Sequence, residues 1–226
     1  MAKKIFVFIL FLGVSTIQAQ DFRWNDFSIY YQGSAFNSMI MNPNHYETEE
    51  VEVYQPTIRF GGGLGLMYNF SDRFSISTGV DYDRKGTKFK EYKRGNYVER
   101  DYKLDYISAN LMMRYMLNRF TIGVGGYYSY LINEDLRFVN DVELGTERFL
   151  NDGRFFQDDV GVTVEIGYLM DFDYRTKGNI SLFASYGLME INNNRYQQNH
   201  FGPTYNQSTN FVAGIRLTVF ILTQPY

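Results

Sequence analysis

Residues 64–80, LGLMYNFSDRFSISTGV, carry two runs of alternating residues on either side of a turn of a few residues. Leu64, Leu66, Tyr68 and Phe70 share one face, with Gly65, Met67 and Asn69 on the other. After Ser71-Asp72-Arg73 the alternation resumes, Phe74, Ile76, Thr78 and Val80 against Ser75, Ser77 and Gly79. Successive side chains of a strand point to opposite faces, so a period of two over this length specifies a β-hairpin. The rest of the sequence decides which of the two faces looks inward.

The same period appears in eight segments, roughly Phe27–Ala35, Thr57–Phe70, Phe74–Asp83, Tyr106–Leu117, Phe120–Ile132, Asp159–Met170, Asn179–Met189 and Thr209–Phe220. Three connections are short: Ser71-Asp72-Arg73, Asn118-Arg119, and the stretch from Asp171 to Gly178. The other four, about Phe36–Pro56, Arg84–Asp105, Asn133–Asp158 and Glu190–Ser208, are long, and the two kinds alternate along the chain. Short turns at one end and long loops at the other are the layout of an up-and-down outer-membrane barrel. A soluble sandwich has no reason to sort its loops this way.

One face of these segments is apolar: Ile58, Phe60, Leu64 and Leu66, then Ile107, Leu111 and Met113, Ile122 and Val124, Val162, Val164 and Ile166, Ile180 and Leu182, and Ile215 and Leu217. The other is small, built of Gly, Ser and Thr, with Arg59, Asp81, Arg114, Glu165 and Arg216 as its firm charges and none of the chain's lysines. A water-facing sheet is normally sprinkled with Lys and Glu. A face of Gly, Ser and Thr with a few paired charges suits the tight lumen of an eight-stranded barrel, where the side chains fill the interior. The five charges are then expected to form a buried polar network that fixes strand register, because charges at low dielectric must be paired. The apolar face meets lipid. Tyr68, Phe70, Phe74, Tyr115, Phe120 and Phe220 lie at strand ends, where aromatic girdles sit at a membrane–water interface.

The N-terminus, MAKKIFVFILFLGVSTIQAQ, has a basic start, an apolar stretch from Ile5 to Val14 and a small-residue end at Ala19. That is a secretory signal peptide, residues 1–19, leaving a barrel domain of residues 20–226. The chain has no cysteine, hence neither a disulfide framework nor a lipid-attachment site. Its formal net charge of −3, two units more negative without Lys3 and Lys4, gives no sign of nucleic-acid binding.

Several stretches resemble the PorT-like outer-membrane β-barrel family of Bacteroidetes: GGGLGLMYNFSDRFSISTGVDYDRKGTKF, YISANLMMRYML and FTIGVGGYYSYLI. The family pattern of a Tyr-x-x-Lys-Gly-type stretch, a Tyr-Ile-led strand and a Gly-x-Gly-x-Tyr strand corresponds here to Tyr82–Gly86, Tyr106-Ile107 and Gly123–Tyr127. The resemblance implies a Gram-negative outer-membrane barrel and specifies fold rather than activity. The last strand is similar to the signal read by barrel-assembly machinery, with Gly214, Leu217 and Val219 in register, although ILTQPY trails past Phe220.

Catalytic motifs are missing: there is no Gly-x-Ser-x-Gly, His-Glu-x-x-His, Walker loop or calcium-loop spacing, and nothing calls for a cofactor or metal. The two histidines, His45 and His200, fall in the first and last long loops. Glu47, Glu49, Glu50 and Glu52 make the first loop acidic, whereas RKGTKFKEYKRG makes the second basic. The expectation is an all-β, eight-stranded antiparallel up-and-down transmembrane barrel in the bacterial outer membrane. It is exported through the inner membrane and acts structurally or through its long extracellular loops, neither an enzyme nor a wide pore. Its expected partners are outer-membrane lipid, the assembly machinery during biogenesis, and an extracellular or envelope protein. Two alternatives stay open to the sequence. One is a soluble periplasmic barrel with an apolar ligand inside. The other is a hydrolase or acyltransferase on the barrel rim, using a loop histidine with Ser38 or Ser208.

Overall fold

The computed structural model describes residues 27–41, 53–55, 57–71, 73–93, 96–141, 145–151, 153, 155–173, 175–191 and 208–222. Ten strands occur in them: β1 (Phe27–Met41), β2 (Val53–Gln55), β3 (Ile58–Asn69), β4 (Phe74–Lys93), β5 (Asn96–Leu117), β6 (Phe120–Asp141), β7 (Gly145–Leu150), β8 (Asp158–Asp171), β9 (Thr176–Gly187) and β10 (Thr209–Leu222). Eight of them close a ring, β1-β3-β4-β5-β6-β8-β9-β10, sealed by antiparallel pairing of β1 with β10. The short strands β2 and β7 lie outside the ring, paired to β4 and β6. Closure removes every free edge from the barrel wall.

The faces divide as the alternation requires. Ile58, Phe60, Ile166 and Leu182 are between 63% and 71% exposed on the outer wall, while Ser75, Ser77, Thr121, Glu165 and Ser181 are buried inside. A continuous apolar exterior has no place in water. It also excludes a soluble barrel with the apolar set inside, because the interior is occupied by the small and polar set. At the turn between β5 and β6, Asn118 takes a left-handed φ of 56°, the conformation a two-residue hairpin turn requires.

The long connections differ from the sequence expectation. The stretch 84–105 is mostly strand: β4 continues to Lys93, β5 starts at Asn96, and the two pair over that whole length. Its alternation pairs charge with strand-forming residues instead of apolar with small residues, so the apolar criterion ends the strand too early. Cross-strand ion pairs hold it, with Lys88 Nζ 2.6 Å and Lys90 Nζ 3.5 Å from Glu99. A strand needs about 9–11 residues to span a bilayer, so roughly half of each of these two strands projects beyond it. A bulge between Asp105 and Tyr106 offsets β5 from β6, so that Leu131 and Ser129 face in below it and Leu136 and Phe138 above it.

Candidate functional site: the filled lumen and its cap

The barrel interior is stacked in layers. At the short-turn end Tyr30, Met67 and Phe220 form an apolar floor. The Tyr30 and Phe220 rings meet edge-on, with centroids 6.1 Å apart. Phe220, read from the sequence as a membrane-interface aromatic, therefore points inward and is 3% exposed. The reason is parity: it shares the lumen face of β10 with Thr218 and Arg216. The other five aromatics of that set lie on the outside near the short turns. Phe74 packs on Tyr115 and Phe70, and Phe120 packs on Tyr168. The Tyr30 ring lies flat over β3 and β4 because Gly65 and Gly79 leave room. A Cβ at Gly79 would fall 2.3 Å from the Tyr30 hydroxyl.

Above the floor, Glu165 is held between two guanidiniums, Arg114 Nε at 2.5 Å and Arg216 Nη1 at 3.4 Å. Arg114 also donates to Ser77, and Arg216 stacks 4.3 Å over the Phe183 ring. Asp81 sits in a separate group, accepting from Gln32 Nε2 at 2.6 Å and Asn110 Nδ2 at 2.5 Å. Asp81 and Asp83 lean onto β3, where Gly63 and Gly61 make space for their carboxylates. That is the local reason for Gly61 and Gly63, the two lumen-facing members of the GGG triplet. Arg59 belongs to neither group. Its Nη2 donates to Asp101 Oδ1 at 2.8 Å and to the Tyr102 carbonyl at 3.3 Å, at the foot of the projecting hairpin. The five charges expected in one network are thus distributed over three.

A fourth group was not read from the sequence. Lys85 Nζ is buried 2.9 Å from Asp159 Oδ2 and 3.3 Å from Ser129 Oγ, over the Tyr106 and Tyr127 rings at 4.8 and 4.2 Å. Asn210 donates to the same carboxylate oxygen at 2.9 Å. The lumen face therefore does carry a lysine. Asp81, Asp83, Lys85 and Thr87 continue one period-two run, and ending the segment at Asp83 hid it. A cavity of about 40 Å³ lies between Asp81, Asp83, Lys85 and Arg216. This is room for roughly one to three waters, not for a channel.

Ile40, Leu104, Leu131, Leu136, Phe138, Phe155 and Ile191 form an apolar cap over this layer, with Tyr106 beneath them. Ser38, considered as a rim nucleophile, is buried and accepts from the Gly86 backbone N–H at 2.9 Å, and Ser208 is buried too. His45, His200 and the glutamates of the first loop lie outside the described residues, as does the signal peptide. Among the described residues no three His, Asp or Glu side chains converge as a metal site.

With the closed barrel and its packed interior in view, the comparison with known proteins adds the family. The model of the outer membrane protein beta-barrel domain matches residues 18–193. The chain belongs to that family. Membership makes it a bacterial outer-membrane protein, and in such barrels the short turns are periplasmic and the long hairpins extracellular. Among solved structures it is similar to Neisserial surface protein A, at 16% identity and a TM-score of 0.45, covering 84% of this chain and 96% of that one. It is also similar to Ail, the attachment invasion locus protein of Yersinia pestis (8% identity, TM-score 0.43, 87% and 99% covered). OprG of Pseudomonas aeruginosa is another (13% identity, TM-score 0.40, 87% and 96% covered). A search of curated protein sequences finds no match.

Proposed function

We propose that this family member is a closed, non-catalytic outer-membrane barrel with a structural or interaction role, working through the extracellular extension of β4–β7. The observation that carries the reading is the extension itself. It is a paired sheet that runs beyond what a membrane span requires and packs on the apolar cap of the barrel mouth. Tyr102 packs edge-on against Phe138 and Phe155, which gives the extension a shape fixed enough to recognise a partner. The filled lumen supports the absence of a wide pore. Within this reading the chain is a PorT-like protein of Bacteroidetes. It is exported by residues 1–19, inserted by barrel-assembly machinery, and engages an extracellular or envelope protein. No cofactor enters the proposal.

The test combines two measurements. Purified wild-type barrel in planar bilayers is expected to give no stable conductance steps, and steady single-channel steps would overturn the closed reading. Photo-crosslinking from Thr146 in whole cells is expected to give one discrete adduct. That adduct should vanish when residues 88–101 are replaced by a short turn while the barrel still shows heat-modifiable mobility. An adduct that survives the replacement would remove the extension from the interaction.

A further inference from the structure

On β5, β6 and β7 the projecting sheet has two unlike faces. Leu136, Phe138 and Phe149 pack into or against the cap. The pairing register puts Lys103, Asp135, Arg137 and Arg148 together on the opposite face. Three cations there, Lys103, Arg137 and Arg148, stand beside two carboxylates, Asp135 and Asp101. Arg148 holds both Asp135 oxygens, at 2.7 and 2.9 Å, and Lys103 stands 4.0 Å away. Asp101, the β5 register partner of Arg137, is bonded to Arg59 at 2.8 Å and stands 3.5 Å from Lys103, so cations still outnumber acids on that face. Arg137 is exposed and has no ion-pair partner among the described residues, yet it is the direct cross-strand partner of Arg148.

Like charges placed opposite one another across a sheet are destabilising unless something lies between them. Leu150 lies directly below Arg148, and below Asp135 and Asn133, towards the membrane, the β6 wall turns apolar too. Leu150, Ile132 and Tyr130 are 58%, 46% and 42% exposed, continuous with the lipid-facing surface. A guanidinium pair above an apolar wall, at the extracellular edge of the bilayer, suits an anionic headgroup whose acyl chains run down the barrel side. The planar, five-donor guanidinium matches a phosphate in bidentate fashion.

We infer that Arg137 and Arg148 form a lipid-phosphate site that binds a phosphorylated lipopolysaccharide of the outer leaflet. The inference rests on the extracellular placement of the extension, not on any protein partner for it. The site is salt-sensitive, because both guanidiniums stand in solvent.

The test uses the folded mature barrel in detergent, titrated with phosphorylated lipopolysaccharide, the same lipid stripped of phosphate, and inorganic phosphate, with the thermal midpoint of the heat-modifiable form as readout. Wild type is expected to reach half-saturation with the phosphorylated lipid at roughly tenfold lower concentration than R137A, and to respond weakly to the stripped lipid. R137K, which keeps the charge and loses the fork, is expected to fall between them. Equal titration of wild type and R137A would overturn the site. So would an undiminished response to the stripped lipid. A full response to millimolar inorganic phosphate would make it a free-anion site and overturn the lipid assignment. Unchanged heat-modifiable mobility of R137A and R137K without lipid shows that the barrel itself is intact, which keeps failure of the site distinct from failure of the extracellular reading.

Discussion

Lys85 shows how much one residue depends on its surroundings in this lumen. Its ammonium has a carboxylate, a hydroxyl and two ring faces, and it is 4% exposed. Removing one member of a buried ion pair leaves an uncompensated charge, so K85M is expected to lose about 3–5 kcal/mol of unfolding free energy in detergent micelles. The double variant K85M/D159L is expected to recover most of that loss, and a urea-unfolding double-mutant cycle measures the coupling. The glycines act through space instead of charge. G79A forces a methyl group against the Tyr30 hydroxyl and the Leu64 carbonyl and is expected to cost about 1–3 kcal/mol, a cost that Y30L relieves only in part in the same unfolding assay, because the backbone contact stays. Neither role can be seen in the residue alone. Gly79 reads as one small residue among many on a lumen face, and the ring from β1 and the Leu64 carbonyl of β3 give it a task.

At the scale of the element, the β4–β7 extension is held by surface ion pairs over a small apolar core, which makes it the acid-sensitive part of the molecule. The Arg148 guanidinium holds the Asp135 carboxyl below the ordinary carboxylate range, and Lys88 does the same for Glu99. A group with a depressed folded-state pKa contributes stability that is complete above its unfolded pKa. That contribution disappears as the pH falls through the folded value. Hydrogen exchange over residues 86–93, 96–103, 134–141 and 145–150 is therefore expected to be slow and constant from pH 7 to about pH 5 after correction for intrinsic rates. It should then accelerate below the ordinary carboxylate pKa of about 4. Unchanged protection at pH 3 would mean that the apolar core alone holds the extension. The sequence marked this stretch as charged and gave its location, but not its strands. A ladder of Lys, Glu, Asp and Arg has the same period whether it is paired or solvated, and the partner strand settles which.

For the whole molecule the decisive property is closure. β1 pairs with β3 on one side and β10 on the other, so the barrel has no wall edge and presents apolar side chains all round. The expressed protein is expected in the outer-membrane fraction, migrating differently on gels before and after boiling. A soluble, unshifted protein would contradict the closed wall. Much of this was determined by the sequence alone: eight transmembrane segments, their inward and outward faces, and the sorting of short and long connections. All three follow from periods and spacings, which survive without knowledge of any neighbour. The identity of lumen partners was decided only by the tertiary structure. Register around a closed ring brings Lys85 to Asp159 across 74 residues and sends Arg59 to Asp101 instead of to Asp81. Phe220 went inward for the same reason, since a strand's phase is fixed by what it pairs with and not by where it ends. Local alternation is a property of one strand, whereas a polar network belongs to the ring, and the ring exists only once the last strand has met the first.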